Sequence, residues 1–436
     1  MYQSLFKMEN SLNINDKAII VGVSQKETEE FNYEMKELAG LCEACNLSVV
    51  SQVIQLLDHP NNATYVGSGK IFEIKNLVDI YDASCVVFND ELSPACLSNI
   101  ADILDVEIID RTMLILEIFS KRAKTKEASL QVELANLNYM LPRLVGKRKN
   151  LSRTGGGSSG GSGARRGSGE TKLELDRRYI SSRIVKVKQE LESVVKDRQT
   201  SRKSRAKNGM KIVAFVGYTN AGKSSTINTI IEKLNGGEEK KVFVKDMLFA
   251  TLETSTRRIV LPNNHDFLIT DTVGFVNKLP HHLVESFKST LEEIKEASLI
   301  VHVIDANSPY LLWQIETTTN VLKSLGVADI PTLYVYNKLD LVTNRIFIPT
   351  TYQPMLEISN KTLEGIDELL NYIDNTLYSD IITTKMLIPF SSGNIYNILK
   401  SKGNITVTNY LNDGIYIEVS LSKHLYELYK QYEITK

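Results

Sequence analysis

Residues 211–225 read KIVAFVGYTNAGKSS. An apolar, β-branched run stops at Gly217, and Gly222-Lys223-Ser224 follows at the spacing G-x-x-x-x-G-K-[ST], with a helical pattern after it. The order strand, glycine loop, helix places backbone N–H groups of Gly217, Tyr218, Thr219, Asn220, Ala221 and Gly222 where they can surround phosphate oxygens. Lys223 supplies a compact charge for the β- and γ-phosphates, and the Ser224 hydroxyl is a ligand for Mg²⁺.

Downstream, the apolar run DFLIT leads into Asp271-Thr-Val-Gly274. The Asp271 carboxylate can hold Mg²⁺ through water, and the Gly274 N–H can bind a γ-phosphate. The strand-like TLYVY then leads into Asn337-Lys338-Leu-Asp340. A carboxylate at that point accepts from the N1–H and N2–H₂ of guanine, whereas adenine presents the wrong groups, so GTP is expected over ATP. Ligands bind at the carboxyl ends of the strands of such sheets, which is where all three motifs fall. Between the first two lies DMLFATLETSTRRIVLP (246–262), in which Thr251 is the candidate switch threonine completing the Mg²⁺ shell. Phe275 follows Gly274, where many GTPases carry a water-orienting glutamine, so slow intrinsic hydrolysis is expected. Asn220 is a candidate ligand for a monovalent cation such as K⁺. The expected catalytic set is Lys223, Asn220, Thr251 and Gly274, and the expected metal ligands are Ser224, Thr251 and Asp271.

Working outward toward the N-terminus, KAIIVGV (17–23), SVVSQVIQ (48–55), CVVFND (85–90) and VEIID (106–110) read as strands that alternate with helical stretches. That alternation predicts a small parallel sheet with helices packed on it. Toward the C-terminus, residues 379–436 mix strand-like ITVTNYL and GIYIEVSL with helices and read as α+β. The expected division is 1–142, an N-terminal α/β domain; 143–207, a basic arm; 208–378, the nucleotide-binding α/β domain; and 379–436, a small α+β domain. The chain's 436 residues suggest about three domains.

Overall charge is misleading. The formal net charge is −1, yet residues 143–207 hold 19 basic against 6 acidic side chains, a net of +13 that leaves −14 for the rest. Inside that segment, TGGGSSGGSGARRGSG (154–169) is too rich in Gly and Ser to hold one backbone conformation unaided. Such a segment suits RNA phosphates, and binding of this kind is salt-sensitive. Four cysteines are too few for a disulfide scaffold, and Cys42-x-x-Cys45 lacks the second pair that zinc requires. GSGK (67–70) is a partial phosphate-loop pattern that reads better as a tight turn into a helix, and Trp313 reads as helix packing. No run of 18 apolar residues and no signal-like N-terminus occurs, so a soluble, cytoplasmic protein is expected.

GYTNAGKSS, FATLETSTRR, DTVGF and NKLD closely resemble the HflX GTPases, a branch near Obg. The resemblance extends to TYVGSGK (64–70), VVFNDELSP (86–94), IIDRT (108–112), ASLQVELANLNYMLPRL (128–144) and RRGSGETKLELDRR (165–178), and so covers nearly the whole chain. It implies a GTP site built from Gly217, Asn220, Gly222, Lys223, Ser224, Ser225, Thr251, Asp271, Gly274, Asn337, Lys338 and Asp340. Ser359-Asn360-Lys361 would support the guanine through the backbone, with Asn360 standing where the family usually has Ala. It also implies ribosome-stimulated GTP hydrolysis, a large-ribosomal-subunit partner, splitting or rescue of ribosomes under stress, and an N-terminal domain similar to ones reported to bind ATP. The RNA contacts expected with it are Arg153, Gly155, Gly156, Gly157, Arg165, Arg166, Lys172, Arg177 and Arg178. A monomer, cytoplasmic and associated with ribosomes and peripherally with membrane, completes the expectation. A ribosome-assembly or RNA-modification GTPase, and a regulatory GTP switch acting off the ribosome, are the alternatives.

Overall fold

The structure is a computed structural model describing residues 16–144, 166–207, 210–235, 255–263, 265–278, 292–342 and 349–434. The first unit alternates β1 (Asp16–Ser24), α1 (Glu29–Ala44), β2 (Leu47–Leu56), α2 (Ser68–Tyr81), β3 (Cys85–Phe88), α3 (Pro94–Leu104), β4 (Glu107–Asp110) and α4 (Arg111–Arg122). Its four strands are parallel in the order β2-β1-β3-β4. Strand periodicity sorts the side chains into two cores. Ala18, Ile20, Cys85, Val87 and Ile109 face the core shared with α1 and α4. Their neighbours Ile19, Val21, Val86, Phe88 and Ile108 face the core shared with α2 and α3. Burial on both faces explains why these strands read as continuous apolar runs.

Helix starts follow local chemistry. Thr28 accepts from Phe31 N at 3.2 Å to begin α1, and Ser93 caps α3 with Pro94 at its first position. Asp110 accepts from Met113 N at 2.8 Å to begin α4, and also takes Leu92 N at 3.0 Å and the Tyr139 hydroxyl at 2.9 Å. That carboxylate fixes the residue after it, Arg111, which matters below. The GSGK turn is structural in the same sense: Gly67 N donates to Gln55 Oε1 at 2.8 Å, and α2 starts at Ser68. All four cysteines are buried free thiols, and burial pushes Cys45 and Cys85 each up to about 12, well out of the reactive range.

α5 (Lys126–Arg143) and α6 (Arg166–Lys207) pack side by side. The seam is Leu130, Leu134, Leu137, Leu141 and Leu144 against Ile180, Ile184, Val187, Leu191 and Val194. Spacings alternate four and three on both helices, which is the coiled-coil pattern. Arg183 adds a two-pronged bond to Glu133, at 2.6 and 2.8 Å. At 1.5 Å per residue α6 is about 63 Å long. Of the basic residues expected to touch RNA, Arg177 and Arg178 are exposed on α6, and Arg178 pairs with Glu174. Arg166 and Lys172 lie on the same helix. Arg153, Gly155, Gly156, Gly157 and Arg165 lie outside the described residues.

The second α/β unit contains β5 (Lys211–Val216), α7 (Lys223–Asn235), β6 (Ser255–Val260), β7 (Asp266–Asp271), β8 (Leu299–Asp305), α8 (Leu311–Ser324), β9 (Thr332–Asn337), β10 (Met355–Glu357) and α9 (Ile366–Leu377). Strand order is β10-β9-β8-β5-β7-β6, parallel except for β6, which runs against β7. β10 is too short to show in the sequence pattern. The last unit is an antiparallel sheet β11 (Ile381–Ile388), β13 (Gly414–Ser422), β12 (Asn404–Leu411), covered by α10 (Gly393–Lys402) and α11 (Lys423–Tyr429). Among the described residues no helix is long and apolar enough to cross a membrane.

Candidate functional site

The loop between β5 and α7 is fixed by two glycines. Gly217 has φ +147, and a Cβ there would fall 2.1 Å from Val303 O. Gly222 has φ +95, and its Cβ would fall 2.1 Å from Asn337 Nδ2. Both conformations and both approaches require the missing side chain. Lys223, 6% exposed, turns back so that Nζ donates to Gly217 O at 3.0 Å and Tyr218 O at 2.8 Å. Burial pushes the Lys223 ammonium down to about 8, partly opposed by the Asp271 charge. His302, buried beside it on β8, is pushed down to about 3 by burial and by Lys223, so it is neutral.

At the other end of the loop the residues expected at the purine side come together. Asn337 Nδ2 donates to Ala221 O at 2.9 Å. Ser359 Oγ donates to Asp340 Oδ1 at 2.7 Å, and Thr362 N donates to Ser359 Oγ at 3.2 Å. Lys338 adopts φ 67 and places Nζ 2.7 Å from Asp305 Oδ2. Asn360 reaches the Thr226 hydroxyl at 3.0 Å, and Lys361 is exposed. Ser225 lies in the first turn of α7, its carbonyl accepting from Thr229 Oγ1 at 3.0 Å. Asn220 is exposed, with φ 60 at the crest of the loop.

Ser224 Oγ and Asp271 Oδ2 are 2.7 Å apart. A hydroxyl and a carboxylate at the foot of a phosphate loop are the hard oxygen donors that Mg²⁺ takes. Thr251 lies outside the described residues. The segment after Asp271 lies directly on the loop: Thr219 N donates to Phe275 O at 2.8 Å, and Phe275 N to Gly217 O at 3.2 Å. A Cβ on Gly274 would meet Thr219 Cγ2 at 2.9 Å and Lys223 Nζ at 3.1 Å. Phe275 points into the core with Ile294 and Leu268, 2% exposed, and offers no polar atom to a water.

The N-terminal unit closes on this same segment. The Tyr218 hydroxyl donates to Glu37 Oε1 at 2.5 Å and accepts from Asn277 N at 2.8 Å. Glu37 is ion-paired with Arg111, whose Nη1 donates to Asn89 Oδ1 at 2.9 Å. Asn277 Nδ2 donates to Glu34 Oε1 at 2.7 Å, and Lys278 Nζ sits between Glu34 and Asp90 at 2.8 and 2.7 Å. Trp313 belongs here too. Its ring lies 5.7 Å from Tyr33 and 5.8 Å from Tyr218, and Gln314 Nε2 donates to the Tyr33 hydroxyl at 2.7 Å. Trp313 is therefore a contact between two units and not only packing within its own. Sequence reading missed Glu34, Glu37, Asp90 and Arg111. The available signal was two charged residues, Glu37 and Arg111, at positions the apolar periodicity assigns to the core.

A sheet parallel but for one edge strand, with this loop, this hydroxyl–carboxylate pair and this purine corner, defines a P-loop GTPase specific for guanine nucleotides. Residues 32–120 match a family model described as GTP-binding GTPase N-terminal, residues 122–205 one described as GTP-binding GTPase Middle Region, and residues 212–338 one described as 50S ribosome-binding GTPase. The chain is 42% identical over 429 residues to the GTPase HflX of Caldanaerobacter subterraneus subsp. tengcongensis, covering 98% of this chain and 96% of that one. It is 36% identical over 392 residues to the GTPase HflX of Escherichia coli, covering 89% of each. A solved GTP-binding protein from Sulfolobus solfataricus in complex with GDP is 25% identical, with 83% of this chain and 99% of that chain covered and a TM-score of 0.43. The chain belongs to the HflX GTPase family, and GTP hydrolysis is its activity.

Proposed function

We propose that this GTPase works on the ribosome, binding the large subunit through rRNA and splitting or rescuing stalled ribosomes, with hydrolysis stimulated by the ribosome. The observation that carries this reading is the segment 143–207, with its net charge of +13 in a chain of net −1. Lys and Arg at that density neutralise phosphates and release counterions. The family model named for 50S binding supports the same partner. The Gly-rich stretch 154–169 lies between α5 and α6 in sequence, its last four residues opening α6, and glycine allows close backbone approach in a narrow RNA cleft. In this reading GTP holds Thr251 and the Asp271–Phe275 segment in the subunit-binding state, and hydrolysis releases it. The factor acts as a monomer in the cytoplasm; the peripheral membrane association expected of it is a further part of the proposal.

Sedimentation of ribosomes with the protein and a non-hydrolysable GTP analogue tests it. Free subunits should accumulate with the full chain, and deletion of 154–169 should leave GTP binding intact while abolishing splitting. Undiminished splitting by the deletion variant would sink the role of that stretch. Co-sedimentation with immature particles would instead favour an assembly factor, and no rRNA association would favour a switch acting elsewhere.

Ser224 and Asp271, with Thr251, would hold Mg²⁺, which supplies positive charge at the β- and γ-phosphates. We assign K⁺ to Asn220, whose exposed side chain stands at the crest of the phosphate loop. Hydrolysis should run faster in KCl than in NaCl at equal ionic strength. Equal rates remove potassium from the site.

A further inference from the structure

We infer that the Thr219 side chain is a water-orienting residue for GTP hydrolysis, supplying the polar group that Phe275 does not. Thr219 is 7% exposed, and its Oγ1 is buried with no hydrogen-bond partner among the described residues. A buried hydroxyl without a partner is costly, so native structures pair such groups, and an exception calls for a cause, of which a catalytic role is one.

The position identifies that partner. The phosphate loop has two ends. Ala221 and Gly222 lie against Asn337, at the guanine end. Thr219 lies at the other, against Gly274 and Lys223: the Cβ direction of Gly274 meets Thr219 Cγ2 at 2.9 Å, Thr219 Cα at 3.0 Å and Lys223 Nζ at 3.1 Å. Lys223 and the Gly274 N–H are the groups of this site that take the γ-phosphate. Thr219 therefore stands where the γ-phosphate is attacked. Its backbone N–H is already committed to Phe275 O at 2.8 Å, which leaves the side chain as its means of acting there.

The reaction needs no base of full strength at that point. A water oxygen forms a bond to Pγ as the bond from Pγ to the β–γ bridging oxygen breaks. That electron pair leaves on GDP, and the proton of the water passes to the phosphate product. The Thr219 hydroxyl accepts one hydrogen bond from the attacking water and ends the step unchanged. Its contribution is alignment, which a single well-placed hydrogen bond supplies at roughly ten- to a hundredfold in rate.

Thr219→Val keeps the shape and removes the hydroxyl. Single-turnover hydrolysis of pre-bound GTP by the full chain should fall roughly ten- to a hundredfold, while GTP and GDP affinities and the thermal midpoint stay within about twofold and about 2 °C of the parent. Thr219→Ser should restore most of the lost rate. Three results overturn the inference: a Thr219→Val rate equal to the parent's; a loss of GTP affinity with the rate of bound GTP unchanged, which would make the hydroxyl a phosphate ligand; or a rate in Thr219→Ser as low as in Thr219→Val.

Discussion

Replacing Asp340 by Asn is expected to lower GTP affinity by roughly a hundredfold to ten-thousandfold and to create affinity for XTP. Two hydrogen bonds from guanine N1–H and N2–H₂ to a carboxylate are each worth about 1.5–3 kcal/mol, and both depend on an acceptor. The structure adds a reason why the amide should turn the useful way. Ser359 Oγ donates to Asp340 Oδ1 at 2.7 Å. Ser359 Oγ already accepts from Thr362 N, so in the Asn variant an amide oxygen facing it keeps both of its hydrogen bonds and turns the NH₂ group to the base. There it repels the guanine N2–H₂ and matches the 2-oxygen of xanthine. Competition of GTP and XTP against a fluorescent nucleotide measures the switch. Unaltered GTP binding would mean that Asp340 does not contact the base.

Glu37→Ala is expected to destabilise the fold by about 3–5 kcal/mol. Side chains of Glu37 and Arg111 are only 2% and 1% exposed. Removing the carboxylate leaves a guanidinium in a dry interior with Asn89 as its remaining partner, and removes the acceptor of the Tyr218 hydroxyl. Replacing both charges, Glu37→Leu with Arg111→Met, should return most of the loss, since a buried pair exchanged for apolar groups of like volume is often neutral. Urea unfolding of the parent and the two variants decides the point. A single variant as stable as the parent would show that the pair carries no uncompensated charge when broken.

The motifs of the candidate nucleotide site stand out in the chain because each is short and contiguous. Gly217–Ser224, Asp271–Gly274 and Asn337–Asp340 each announce themselves within a few residues, and each sits at a strand end that apolar runs reveal. The fold class was legible for the same reason: β1 and β3 are buried on both faces and read as apolar stretches, and β8 does so but for His302. The joint between the first two units was not legible. Tyr33, Glu34, Glu37 and Asp90 meet Tyr218, Asn277, Lys278 and Trp313 only after two separate sheets have formed. On the N-terminal side, only a charge at a core position, as at Glu37, stands out locally. The seam of α5 was present in the sequence at Leu130, Leu134, Leu137, Leu141 and Leu144, but the surrounding charge on α6 concealed its partner half.

Trp313 is the chain's one tryptophan, and it lies between Tyr33 of the first unit and Tyr218 of the phosphate loop. Indole emission from this protein therefore arises at a single place. The molecule carries its own optical probe at the seam where nucleotide chemistry meets the N-terminal unit, and a spectrum of the unlabelled chain reads the polarity and packing of that seam alone.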